Sequence, residues 1–307
     1  MPRATLAIEW RDFMEYLIQQ LINALALGGT YALLALGLAV VFSILGLINF
    51  AHGELMTVTG YALFFAVLSG LSFPAAIIIA LLTATVCAVV MERVAFRPVR
   101  RSSGTIMLLT SFAVSSILHT GFQNFISARP KPIAVPEALT GALTMGFVHI
   151  GIIPLMSIVV TGLSLLGLVM FLRYSMLGLA MRAAAQDFGM TRLMGINANR
   201  VISTSFAISG LLAGIAGLLW LFQRGSVDPM LGFVPVLKAF IAAVLGGMRS
   251  LPGAVLGGFV LGATEVMLRA YLPDNLLGFR DSISLAIVIG LLLAFPNGLL
   301  AQRQEVR

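Results

Sequence analysis

The sequence predicts an all-α integral membrane protein, a polytopic bundle of about eight to ten transmembrane helices with some broken or re-entrant. Three observations lead there. Of the 307 residues, 59% are hydrophobic and 10% charged, whereas a water-facing surface usually raises the charged share to about 25%. A mean hydropathy of +1.03 leaves too little polar surface to cover a compact globule. Lipid removes that conflict, because it accepts apolar side chains outside as well as inside. Finally, the apolar residues fall into long runs, and the connections between them carry the arginines, as topology-setting charges do.

A membrane-crossing helix needs about 20 mainly apolar residues. Such runs fall near 19–47, 55–70, 74–92, 105–127, 150–172, 201–222, 234–248, 252–271 and 281–299. The first is long enough to bend or split, and 234–248 is short enough to be re-entrant. The connection 92–101 carries Arg93, Arg97, Arg100 and Arg101 and is expected on the cytoplasmic side. Segment 173–200 adds Arg173, Arg182, Arg192 and Arg200; an even number of runs separates the two, so both fall on one side. Arg303 and Arg307 place the C-terminus there too, and Glu9, Asp12 and Glu15 against Arg3 and Arg11 favour the outside for the N-terminus. That balance also denies the N-terminus the basic start of a secretory signal. Neither of the longest connections, 128–150 and 173–200, suffices for a water-soluble domain, so a single transmembrane domain over 1–307 is expected.

The formal net charge of +7 does not point to nucleic acid, because the basic residues form no patch with interleaved aromatics. The single cysteine, Cys87, lies inside an apolar run and reads as a small buried hydrophobe. Three histidines, none in an H-E-x-x-H arrangement, argue against a metal enzyme. No nucleophile, base and orienter assemble in the sequence, and it calls for no cofactor.

Polar groups at membrane depth are costly and tend to face a cavity or the bundle interior. Asn49, His52 and Glu54 form the densest such group, flanked by Gly46 and Gly53 where a helix could break and free its backbone for a solute. The alternative is an ordinary cytoplasmic turn at headgroup level. Gly246 and Gly247, followed by Gly253, Gly257, Gly258 and Gly262, mark either a second break on the path or close helix packing. Lys238 sits mid-run, Glu265 and Arg269 are spaced for an ion pair on one helix face, and His119 reads as a hydrogen-bonded interior residue. Pro130, Pro132 and Pro136 should stiffen an extended segment on the outer face, a contact for a solute-delivering protein or only a connector.

In the second arginine-bearing segment the alanines through Gln186 start a helix. Ala185 and Gly189, four apart, share a face bordered by Arg182 and Gln186, and Gly195 offers a stop. A short small-residue helix outside the lipid is shaped for a partner's groove; an amphipathic surface connector is the plainer alternative.

Ala183-Ala184-Ala185 followed by Gly189 resembles the EAA coupling motif of ABC importer permeases, with Ala183 in place of the usual Glu and the later Ile and Pro unmatched. The longer string Arg182–Asp187, Leu193–Asn197, Arg200-Val201 is similar to the variant in LivH-type permeases of the branched-chain amino acid ABC transporter family. So are Gly28–Leu33, Gly46–Glu54, the stretch around Gly246-Gly247, and Phe295–Leu299. The resemblance implies a permease subunit of an ATP-driven importer in a bacterial or archaeal inner (plasma) membrane. It would move branched-chain amino acids, or relatives such as urea, amides or aromatic acids, by alternating access. It implies that Arg182, Ala183, Ala184, Ala185, Gln186, Gly189 and Gly195 couple to a separate ATP-binding cassette subunit. It also implies a second homologous permease subunit, in a heterodimer or a homodimer, and an extracytoplasmic solute-binding protein. No G-x-x-x-x-G-K-[ST] loop occurs, and the only lysines are Lys131 and Lys238, so any ATPase is another chain. The competing expectation is a self-sufficient secondary transporter or channel, for which Glu54 and Glu265 are the candidate intramembrane carboxylates.

Overall fold

The computed structural model describes residues 2–300 apart from 101, 146, 147 and 297, with the side chains of 2–13 and 144–149 set aside. Expectations resting on Arg101, Asn297, Arg303 and Arg307, and on the side chains of Arg3, Glu9, Arg11 and Asp12, lie outside that description. Among the described residues, seven helices are long and apolar enough to cross a membrane, and two apolar helices are shorter. In chain order they are α1 (Pro2–Leu45), the short α2 (His52–Leu68), α3 (Phe73–Val99), α4 (Gly104–Ile126) and α5 (Ile152–Tyr174). After two small helices, α6 (Met176–Gln186) and α7 (Phe188–Leu193), come α8 (Ala198–Arg224), the short α9 (Phe233–Gly246), α10 (Leu251–Tyr271) and α11 (Asp274–Ala294).

The side chains are sorted for lipid. Helix α3 buries Ala76, Ala80, Ala84 and Ala88 and exposes Ile78, Leu82, Val86 and Val90. Small residues inside let helix axes approach, and large apolar residues outside meet a solvent that accepts them. Helices α1 and α8 form the centre, packed on each other and on α10, α3 and α2. Helix α1 runs unbroken through Gly28 and Gly29, so the split that its length allowed does not form. Gly28 instead receives α10: a Cβ there would stand 2.9 Å from the Phe259 Cα.

Within the expected connection 92–101, residues 92–99 are helix. Helix α3 widens into a π-helical turn at Glu92–Phe96 and ends at Val99. The turn stays helical because Glu92 is buried rather than solvated, its Oε2 accepting from Ser203 Oγ at 2.8 Å. Just beyond, Arg100 Nη1 donates to Asn199 Oδ1 at 2.6 Å, which puts 92–100 and 173–200 at one end of the bundle. The proline segment lies at the other end and is extended, β1 (Lys131–Pro132) pairing antiparallel with β4 (Ser226–Val227) beyond α8. A hairpin of β2 (Ala142–Met145) and β3 (Val148–Gly151) follows it, unforeseen in the sequence.

The two short helices set the geometry of the interior. His52 Nδ1 hydrogen-bonds Ser209 Oγ at 3.0 Å, near the middle of the 27-residue α8. Helix α2 therefore begins at half depth, and 46–51 climbs to it without helix. Beyond α8, segment 225–232 descends without helix until Gly232 meets Gly53, where α9 begins. Helix α9 has 14 residues, about 21 Å, against a hydrocarbon core of about 30 Å. Irregular backbone at membrane depth is tolerated where protein encloses it, and Leu47, Asn49, Ala51, Val227 and Leu231 are all buried.

Candidate functional site

The break before α2 gathers Asn49, His52 and Glu54 into a buried cluster at half depth rather than a headgroup-level turn. Glu54 Oε1 accepts from Ser115 Oγ of α4 at 2.9 Å, and Asn49 Nδ2 faces Met91 Sδ of α3 at 3.9 Å. Asn49 Oδ1, His52 Nε2 and Glu54 Oε2 have no protein partner. His119 hydrogen-bonds the Pro229 carbonyl at 3.1 Å and Gln123 at 2.9 Å, tying α4 to the descending segment.

Gly246 and Gly247 lie apart from that cluster, at the arginine-rich end. Gly246 crosses Gly253 backbone to backbone, and a Cβ on Gly298 would stand 2.7 Å from the Gly247 nitrogen. The Leu299 N–H donates to the Leu245 carbonyl at 2.8 Å, closing the C-terminal end of α9. The glycine pair thus meets Gly298 and Leu299 in one close-packed cap. None of Asn49, His52, Glu54, Gly246 and Gly247 lines either cavity described below.

The alanine run ends a helix where the sequence suggested that it starts one. Ser175 caps α6 by accepting the Gly178 N–H at 2.8 Å, so the helix begins eight residues before Ala184 and closes at Gln186. Asp187 then caps α7 through its Oδ1 and the Met190 N–H at 2.9 Å. Extended backbone at Asp187 separates Ala185 from Gly189, so they share no helix face, although both are exposed. Gly195, at φ +79°, ends the segment as expected. Arg182, Gln186 and Gly189 are exposed, Ala183 is half-buried and Ala184 is buried. Around them large apolar side chains stand out from the fold: Met176 is 83% exposed, Leu193 81% and Met194 79%. A cavity of about 580 Å³ lies under this segment, between Phe188, Arg192 and Asn197 on one side and Leu45 and Arg100 on the other.

The feature that sequence reasoning missed is at the opposite end. A cavity of about 820 Å³ reaches from Tyr16 and Arg269 at its mouth down to Tyr31, Trp220, Lys238 and Glu265. Lys238 of α9 forms an ion pair with Glu265 of α10, and its Nζ is also 3.3 Å from Asp281 Oδ1. Tyr31 of α1 donates from its hydroxyl to Glu265 Oε2 at 2.9 Å, and Arg280 holds Asp281 at 3.4 Å. The expected Glu265–Arg269 pair does not form, because Glu265 turns across the bundle to Lys238 while Arg269 faces the cavity mouth. The available signal was a lone cation, Lys238, in one apolar run and Glu265, with Arg269 four residues on, in the next.

The family model for the branched-chain amino acid transport system permease component matches residues 20–300. The chain is 38% identical, over 95% of its length and 97% of the relative's, to the high-affinity branched-chain amino acid transport system permease protein LivH of Salmonella typhimurium. It is 37% identical to the corresponding protein BraD of Pseudomonas aeruginosa, over 94% of this chain and 97% of that one. A probable branched-chain amino acid transport permease protein LivH of Methanocaldococcus jannaschii is 28% identical over 94% of this chain and 93% of its own length. No solved structure matches. Family model and relatives cover nearly the whole bundle, and the chain belongs to the branched-chain amino acid transport system permease family.

Proposed function

We propose that this chain is the membrane-spanning subunit of an ATP-driven ABC importer, translocating branched-chain amino acids or related small solutes by alternating access. The observation that carries the reading is the α6–α7 segment: a two-helix element on the arginine-rich end, its large apolar side chains uncovered beside exposed Arg182 and Arg192. Exposed apolar clusters rimmed by charge mark protein contacts, and here the partner is an ATP-binding cassette subunit engaging Arg182, Ala183, Ala184, Ala185, Gln186, Gly189 and Gly195. By the excess of arginine that end is cytoplasmic, with the C-terminus, in a bacterial or archaeal inner (plasma) membrane. The opposite end, with the larger cavity and the proline segment, receives solute from an extracytoplasmic binding protein, and a homologous permease subunit completes the pore. The path runs past the half-depth cluster of Asn49, His52 and Glu54, while Gly246 and Gly247 let the inner end of α9 shift against α10.

The Lys238–Glu265 pair favours a second reading, a secondary transporter that needs no ATPase, because intramembrane ionisable groups serve such proteins as ion sites. One experiment separates the two. The chain is purified from native membranes with its associated subunits and reconstituted in proteoliposomes. Leucine uptake that requires enclosed ATP and an ATP-binding subunit supports the importer. Uptake by the chain alone overturns it.

A further inference from the structure

We propose that the cavity at the end away from α6–α7 is a binding site on the solute's path, where Lys238 and Glu265 recognise the carboxylate and the ammonium of a zwitterionic α-amino acid. The proposal rests on the permease reading and assigns its substrate class to named residues.

An ion pair enclosed within a membrane bundle is a poor device for stability. Its desolvation cost offsets much of the Coulomb gain, and apolar residues of the same volume often do as well. This pair is at the floor of a cavity rather than between tightly packed helices. Its partners are arranged for exchange. Lys238 has two anions, Glu265 and Asp281, and each anion has a second partner, the Tyr31 hydroxyl and Arg280 respectively. A zwitterion inserted between Lys238 and Glu265 therefore replaces one ion pair with two and leaves no charge alone. A solute lacking the ammonium would leave Glu265 with only the Tyr31 hydroxyl, a costly unpaired buried charge, and one lacking the carboxylate would leave Lys238 sharing Asp281 with Arg280.

The remaining walls suit an apolar side chain. The rings of Tyr31 and Trp220 are 6.0 Å apart, and Leu27, Leu231, Val234 and Val266 line the cavity beside them. The volume of about 820 Å³ falls within the range of about 300–1,000 Å³ for small-molecule sites and leaves room for water around an amino acid. The site selects zwitterions over uncharged amides and urea.

Trp220 offers a direct test. Trp10 and Trp220 are the only tryptophans, so in the full chain carrying Trp10→Phe, embedded in lipid nanodiscs, all tryptophan emission comes from the cavity wall. The probes are L-leucine, 3-methylbutylamine, 4-methylpentanoate and 4-methylpentanamide. The expected result is a saturable change with leucine and apparent affinities about tenfold or more weaker for the three analogues. The double variant Lys238→Met/Glu265→Met, which removes both charges together and keeps the volume, should remain monodisperse and lose the leucine response. Glu265→Gln, which preserves an acceptor for Tyr31, should lose it too. Equal responses to leucine and the analogues, no saturable response to leucine in the parent, or a leucine response retained in the double variant, overturns the site. The titration needs no ATPase and so stands apart from the permease reading. Wild-type ATP-dependent uptake by the double variant in the assembled transporter would overturn the site while leaving the permease; no ATP-dependent uptake by the parent would overturn the permease while the titration still decides the site.

Discussion

Gly232 lies backbone against backbone on Gly53, and a Cβ at either position would overlap the other's carbonyl oxygen. The contact joins the start of α9 to the start of α2 at half depth, so both irregular segments depend on it. Either glycine replaced by alanine must push the two backbones apart, an overpacking cost of about 1–3 kcal/mol. Gly162 of α5 has open space where its Cβ would stand, and alanine there should be neutral or stabilising by up to about 1 kcal/mol. Thermal midpoints in detergent check the contrast: Gly53→Ala and Gly232→Ala should fall clearly below Gly162→Ala, and equal midpoints would refute the close approach.

Single and paired changes at the cavity floor should behave oppositely. Lys238→Met leaves Glu265 with only the Tyr31 hydroxyl, and breaking a buried pair in this way typically costs about 3–5 kcal/mol. Adding Glu265→Met removes the stranded charge and should recover most of that loss. The readout is the fraction of monodisperse protein surviving a temperature ramp. A double variant no more stable than the single one would show that the two side chains act independently.

These features differ in how far the sequence disclosed them. The long spans are legible because a bilayer imposes one length on every helix that crosses it. The shared side of the two arginine segments was legible from parity alone. Half-depth at His52 was not, because it is set by Ser209, 157 positions away. The Lys238–Glu265 pair was hidden for the same reason, and the spacing of Glu265 and Arg269 pointed to a closer partner that geometry rejects. At Asp187 two local signals compete: alanine propensity carries α6 up to Gln186, and then the carboxylate captures the Met190 N–H and starts a new helix.

That competition predicts a separable defect. Asp187→Ala removes the cap of α7 at a cost of about 1 kcal/mol to that small helix and touches no membrane-spanning helix. Expression and membrane insertion should be unchanged. In the assembled transporter, solute-stimulated ATP hydrolysis should fall several-fold relative to the basal rate. Gly189→Trp should do the same by bulk, since a Cβ at 189 meets only Asp187 Oδ1, at 3.2 Å. Unaltered coupling in both variants would remove α6–α7 from the proposed docking surface.

The orientation of the bundle can be decided with the chain's own cysteine as the silent background. Cys87 lies within α3, packed beside the core in a membrane-spanning stretch, so a membrane-impermeant maleimide should leave the parent chain unlabelled. Arg129 and Leu193 are exposed at opposite ends of the bundle, and each can carry a second cysteine without disturbing a core contact. With the arginine-rich end in the cytoplasm, Arg129→Cys should label in intact spheroplasts and Leu193→Cys only in inverted vesicles. The reverse pattern would turn the molecule over, placing the Lys238 cavity on the cytoplasmic side and α6–α7 where no ATP-binding subunit could reach it. Both the importer reading and the direction of solute entry would then fail together, because each depends on which face of the membrane the arginines occupy.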